Sequence, residues 1–361
     1  MQNMDLDPSS TIEQNTQVET VEPFAARQKI FQFKFHGNAT EYFGIWIVNI
    51  MLTVLTLTLY APWAKVRRLR YFYRNSEFMQ RRFDFTGLAK KIFIGRVIAL
   101  SGYVLVSYLS NYSVSASLIG FAILYLALPW LIRSTLTFRA RNSKWGNSRL
   151  SFKGTTKEAY WVFFLCILIN LFTFGLFFPV LFWLYKRYSF DHLRIGQFRF
   201  QLKAEWGTFM SAMYMPIFLF IGFLFGSAIF LSLAGFSGSN LKQLFVMLGV
   251  AYVVGLFLIW PLMSARLFIA TWNNVSVSRS YFMTSANQWF YAWIMLSNWI
   301  VKILSLGLLT PWAAIRLYRY QLDSLSLYLR NDIDAIESLQ QDDPNAIAEE
   351  ITDFFDFDVS L

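Results

Sequence analysis

TLTLYAPWAKVRRLRY, residues 56–71, closes an apolar run, turns at Pro62-Trp63 and opens a basic segment. The same move recurs as TFGLFFPVLFWLYKRY at 173–188 and as SLGLLTPWAAIRLYRY at 305–320. Anchored on Pro62, Pro179 and Pro311, the three stretches align without a gap. An Arg falls eight residues after each proline (Arg70, Arg187, Arg319) and a Tyr one later (Tyr71, Tyr188, Tyr320). Self-similarity of this kind marks an internally repeated fold.

The rest of the chain says where such a fold lives. It is 56% hydrophobic, 19% aromatic and only 15% charged, where a soluble domain carries about 25% charged residues. Apolar runs cover 43–61, 92–109, 118–132, 159–185, 209–233, 244–263 and 289–315. The second, third, fifth and sixth read as ordinary membrane spans. The predicted fold is therefore an all-α polytopic membrane protein, with four spanning helices and three repeated motif segments that either span or re-enter. Short alternating stretches flank the motifs: FQFKF at 31–35, FDFTG at 83–87, LSFKG at 150–154, FRFQL at 198–202 and VSVS at 275–278. They read as short strands of FxFxG type. Bare strands cannot lie in lipid, so they are expected at the membrane surface, pairing with one another.

Residues 1–30 read as a disordered acidic tail and 31–330 as the membrane domain, with motif units at about 31–91, 150–204 and 275–330. Residues 331–361 are acidic and hold no Lys or Arg. Asp343-Pro344 would start a short amphipathic helix there, with Ile347, Ile351, Phe354 and Phe355 on one face. Such a tail is expected to dock on a basic face or a protein partner.

The net charge is +10, and all 32 Lys and Arg lie between Arg27 and Arg330. A basic core can mean nucleic acid. Here the basic residues fall in loops between apolar runs, as the positive-inside rule requires, and no nucleic-acid partner is expected. The rule puts the main basic loops, 65–91 and 133–157, in the cytoplasm. If the motif segments re-enter, every loop Lys and Arg except Lys242 lies on one side. If they span, the basic loops divide between the two sides. Helix length favours spanning, because residues 42–58 would reach about 24 Å. Both arrangements stay open at this point.

Chemistry-bearing patterns are sparse. Cys166 is the only cysteine and excludes an internal disulfide; His36 and His192 are too few for the usual zinc clusters. No G-x-S-x-G, H-E-x-x-H or P-loop occurs, so no enzyme, metal or cofactor is expected. Two constellations remain. Counting thirteen, nine and six residues before each proline gives Asn49, Thr53, Thr56, then Cys166, Asn170, Thr173, then Asn298, Lys302, Ser305. Each trio shares a helix face. It is either interhelical hydrogen bonding or the lining of a polar cavity. Lys302, near the middle of its run, favours the cavity, since a mid-membrane lysine is costly. The Arg-Tyr pairs read either as interfacial anchors or as binders of anionic lipid headgroups.

The combination of FxFxG, apolar run, TLTLYAPWAKVRRLRYFYRN and FDFTG resembles the YjgN-like family of bacterial inner-membrane proteins, over nearly all of 31–330. The usual family form is close to TLGIYxPWAxxRxxRY. Thr58 replaces its glycine, which Gly175 and Gly307 keep, and Val180 stands where the other copies have Trp63 and Trp312. The resemblance implies location but no activity. The expected function is an inner-membrane protein that transports or binds a small or lipidic solute, or else a non-catalytic scaffold.

Overall fold

The computed structural model describes residues 29–233 and 241–329. The predicted C-terminal tail with its helix, and nearly all of the N-terminal tail, lie outside them. Within the described residues the all-α expectation is overturned. The strands β1 (Lys29–Gln32), β2 (Lys34–Phe35), β3 (Ser76–Phe78), β4 (Arg81–Phe85), β5 (Ser143–Trp145), β6 (Ser148–Phe152), β7 (Leu193–Ile195), β8 (Phe198–Leu202), β9 (Val275–Val277), β10 (Ser280–Thr284) and β11 (Leu325–Leu329) form one 11-stranded antiparallel sheet. Between them run α1 (Ala39–Leu55), α2 (Ala61–Arg74), α3 (Ala89–Leu109), α4 (Val114–Arg141), α5 (Thr156–Phe172), α6 (Phe178–Asp191), α7 (Trp206–Leu231), α8 (Leu241–Trp272), α9 (Gln288–Leu304) and α10 (Thr310–Asp323). The FxFxG stretches do pair with one another. The error lay in treating them as trimmings on a helical fold; they form the sheet that organises it.

That sheet is barrel-like and nearly closed. β1 pairs with β11 at one end of the strand order, and β2 pairs with β3 at the other. The two are one strand interrupted at Phe33, whose N–H donates to the Leu325 carbonyl at 3.1 Å. Two-residue turns join the hairpins, with positive φ at Met79, Gln80, Gly146, Gly196 and Ser278, as tight antiparallel turns require. Aromatic side chains fill the sheet. Phe33 stacks on Phe78 at 4.4 Å and lies 6.1 Å from Phe282; Phe78 meets Trp145 at 5.6 Å.

The sheet reveals five repeats where the proline motif shows three. Each unit is strand, helix, helix, strand. At each junction one backbone hydrogen bond recurs: His36 N–H to Asn75 O (2.8 Å), Thr86 to Asn142 (2.9 Å), Lys153 to His192 (2.9 Å), Lys203 to Asn274 (2.8 Å) and Ser285 to Ser324 (2.9 Å). Each helix packs on its chain neighbours, and α10 packs on α1, so the helices also close into a circle. Every helical hairpin therefore leaves the sheet and returns to it.

A plug at the end of the strand locks three of the units. Phe35, Phe85 and Phe152 are buried, and each is followed two residues later by Gly37, Gly87 and Gly154. A Cβ on these glycines would lie 2.3, 2.5 and 2.6 Å from the respective ring atoms. The other two units place a smaller side chain at the plug, Leu202 and Thr284, and there the partner is Ala204 and Ala286. The chain thus trades ring volume against one methyl group, as close packing demands.

The hairpins come in two lengths. α3, α4, α7 and α8 are long and apolar enough to cross a membrane. The motif runs, read as single segments, break in two: α1–α2, α5–α6 and α9–α10 are short hairpins, each opening with a 17-residue helix. At 1.5 Å per residue those helices reach about 25 Å, against about 31 Å for α3 and 39 Å for α7. The tip turns share one geometry. Thr58 N–H bonds Thr53 O at 2.7 Å, Gly175 bonds Asn170 at 3.0 Å and Gly307 bonds Lys302 at 2.7 Å; each is the six-to-one bond of a helix C-terminal motif. Thr58 takes φ 73° where its sisters are Gly175 at 82° and Gly307 at 87°, a conformation that strains a β-branched residue. Lys302 is thereby relocated. It occupies the last turn of α9, beside the tip, where helix-end carbonyls favour a cation, and not the middle of one long span.

Candidate functional site

The Arg-Tyr pairs turn out to be the fasteners of the five-unit circle. The tyrosine closes its own unit. Tyr71 Oη accepts from Asn38 N–H and donates to Asn38 O, both at 2.8 Å; Tyr320 does the same with Asn287 at 2.9 and 3.3 Å; Tyr188 donates to Thr155 O at 3.2 Å. Those partners are helix N-caps: Asn38 caps Thr40, Asn287 caps Trp289 and Phe290, and Thr155 forms a capping box with Glu158. The Thr155 N–H holds the Glu158 carboxyl below its ordinary range. The spacing that identifies this latch, Tyr 33 residues after the cap, was present in the sequence and went unread.

The arginine reaches into the next unit. Arg70 donates to the Phe85 and Gly87 carbonyls at 3.3 and 3.2 Å, and Arg319 to the Gly37 carbonyl at 2.7 Å. Arg133 and Trp183 make the equivalent bond to Gly154 and Ala204 at 2.9 and 2.7 Å. Arg187 departs from the pattern, pairing with Asp191 at 3.4 Å and lying over the Trp183 ring at 5.2 Å. Where the donor is an arginine, the charge makes this the stronger kind of hydrogen bond.

The polar stripe divides by role. Thr56, Thr173 and Ser305 cap the tips, accepting from Tyr60, Phe177 and Leu309 N–H at 3.0, 3.3 and 3.1 Å. Thr53 satisfies itself on Asn49 O at 2.6 Å. Asn170 is exposed and Cys166 half-buried. Asn298, 3% exposed, donates to Ala313 O at 3.0 Å and accepts from Arg316 at 3.4 Å. Its counterpart Asn49 is equally buried, but its Oδ1 has no partner. Arg67, which corresponds to Arg316, bonds Tyr60 Oη instead at 3.2 Å. The three stripe helices are not neighbours: α5 is flanked by α4 and α6, and α10 stands between α9 and α1.

What the structure does bring together is a cleft where the circle closes. About 600 Å³ in volume, it lies between α9, α10 and the start of α1, lined by Asn38, Ala39, Ser285, Phe290, Ile294, Trp312, Ile315, Arg316, Arg319, Tyr320, Asp323 and Ser324. Arg316 lies over the Trp312 ring at 5.2 Å and donates to Ser297 Oγ at 2.8 Å. Asp323 accepts from Phe35 N–H at 2.9 Å. Burial pushes its carboxyl above the ordinary range, against the pull of that N–H, Arg319 and His36. Two guanidinium groups, a tryptophan and an apolar wall suit an anion with an apolar body. Among the described residues no group of His, Cys, Asp and Glu could hold a metal ion.

The family described as "Bacterial protein of unknown function (DUF898)" matches residues 31–354. The chain belongs to this family. It is 33% identical over 143 residues to the inner membrane protein YjgN of Escherichia coli (strain K12), a match covering 38% of this chain and 35% of that protein. The match to YjgN of Escherichia coli O157:H7 is 32% over the same length. The chain thus spans about a third of the length of these two relatives. YjgN of Salmonella typhimurium is 22% identical over 362 residues, covering 86% of this chain and 91% of that protein. No solved structure matches. With four apolar helices of spanning length and relatives named inner membrane proteins, the chain is an inner-membrane protein of a family without an established activity.

Proposed function

We propose that this protein binds an anionic lipidic solute, its headgroup on Arg316 and Arg319 in the cleft between units five and one. The observation that carries this is the pairing of two guanidinium groups with Trp312 and Phe290 in a cleft beside short hairpins whose tips are apolar. Arg319 also fastens the circle, so Arg316 is the residue to vary. In native mass spectrometry from nanodiscs containing phosphatidylglycerol, the wild type is expected to retain bound lipid. Arg316→Gln should retain at least fivefold less while remaining folded and monodisperse, its thermal midpoint lowered only by the loss of its bonds to Ser297 and Asn298. Equal retention by both would sink the reading.

The location of the sheet follows from the same picture. The hairpin turns are the cytoplasmic face, because returning hairpins place every loop Lys and Arg except Lys242 on that side. Single cysteines at Gln80, Asn147, Gln197 and Arg279, all exposed turn residues, in a Cys166→Ser background, are expected to resist a membrane-impermeant thiol reagent in intact cells. A cysteine at Tyr112, exposed at the α3–α4 tip, should react. Labelling at Gln197 and Arg279, with Gln80 and Asn147 protected, would show that α5–α6 crosses.

A further inference from the structure

We propose that the α9–α10 hairpin conducts phospholipid headgroups between the two leaflets, so that the protein catalyses transbilayer lipid movement; this rests on the cleft being a headgroup site.

The polar groups of this hairpin form a ladder. Arg319 stands one turn above the sheet end of α10 and Arg316 almost a turn further. Asn298 meets Arg316 from α9. Lys302 follows one turn later on the Asn298 face, and Ser305 caps the tip. Asn298 is buried and spends its amide on Ala313 O, and the Ser305 hydroxyl is turned to Lys302 O, so these two hold the ladder's frame. The cations Arg319, Arg316 and Lys302 are the rungs that meet a passing phosphate; they span about 6 to 21 Å from the sheet at 1.5 Å per residue, and two of the three are guanidinium groups suited to it. The position of Lys302 is Thr53 in unit one and Asn170 in unit three. Of the three short hairpins, only that of unit five has a cation in the last helical turn before its tip.

Unit five is also the one placed to use it. Going round the circle, hairpins alternate short and long, except that the short α9–α10 hairpin lies directly against the short α1–α2 hairpin. At that junction both helical walls stop at about 25 Å, short of the ~30 Å hydrocarbon core. Leu57 and Leu306 top the two tips and are 85% and 94% exposed, so they contact acyl chains of the far leaflet. A lipid from that leaflet thus meets Lys302 at the rim of a shortened barrier, with the arginine cleft below. Without such rungs a charged headgroup crosses hydrocarbon unaided, which is the costly alternative.

The test is a dithionite assay on proteoliposomes carrying a trace of NBD-labelled phosphatidylglycerol. Protein-free vesicles lose only the outer half of the fluorescence; wild-type vesicles are expected to lose nearly all of it. Lys302→Leu should slow the second phase about tenfold or more, with the thermal midpoint little changed because the contact of a partly exposed cation with the helix-end carbonyls is weak, and Lys302→Arg should restore it. A wild-type rate in Lys302→Leu overturns the ladder. Wild-type vesicles that behave as protein-free ones, while lipid still co-purifies in native mass spectrometry, overturn conduction and leave binding standing. Loss of both overturns both.

Discussion

Phe85→Ala is expected to lower stability by about 3–5 kcal/mol, the range for emptying a buried aromatic site. Phe85 is 1% exposed and is packed between Val66 of α2 and Phe138 of α4. It also meets Tyr73 edge-on at 5.6 Å. The cavity would open where unit one meets unit two, under the Phe85 and Gly87 carbonyls that hold Arg70. Those neighbours belong to two helices, α2 and α4, each tied to the sheet at its end, so collapse is hindered and the upper part of the range is expected. The measurement is the thermal midpoint in detergent, read as the monodisperse fraction by size-exclusion chromatography. A fall no larger than that of a surface substitution would show that the junction does not depend on its plug.

Gly37→Ala is the second. The added methyl would lie 2.3 and 2.7 Å from two atoms of the Phe35 ring. That ring is wedged against Phe72 at 5.8 Å and Tyr318 at 4.9 Å, so it has nowhere to swing. Overpacking of a tight core costs about 1–3 kcal/mol, and the clash here points to about 3 kcal/mol. The chain itself supplies the remedy. Unit four carries Leu202 and Ala204 where unit one has Phe35 and Gly37. The double variant Phe35→Leu with Gly37→Ala is therefore expected to be more stable than the sum of the single changes by about 1–2 kcal/mol, the coupling of residues in contact. Strict additivity would refute the exchange of ring for methyl.

How much of this was legible beforehand depends on the kind of signal. The strands were, because alternation in FQFKF or FDFTG has a period that helices do not share. The four long helices were, because hydropathy reports residues in lipid directly. The break inside each motif run was legible only as an open alternative, and the turn read at Pro62-Trp63 falls in the first turn of α2, just after the tip. Leu57, Leu59, Phe174, Leu176, Leu306 and Leu308 are turn or tip residues that stay exposed and apolar, so a hydropathy trace passes through the turn without a dip. Units two and four were missed as repeats because their tips lack the proline motif; their kinship lies in the backbone bonds at the sheet. The stripe was read as one cavity because spacing gives the face of a helix but not its neighbours. The cleft needed the closure of the circle, which pairs residues nearly three hundred apart.

That closure makes the protein's assembly order unusual. Lys29 lies opposite Leu329, the Phe35 N–H is satisfied by Asp323 and the Gly37 carbonyl by Arg319. During synthesis the first unit is inserted with its outer flank open, and every later unit extends an arc that still has two free ends. The strand edge and the Phe35 plug of unit one wait for the final helix and strand, since a loop of this length must close before those contacts can form. A nascent chain stalled before residue 310 therefore carries four complete units and no cleft, and it is the emergence of α10 and β11 that turns an arc into a site.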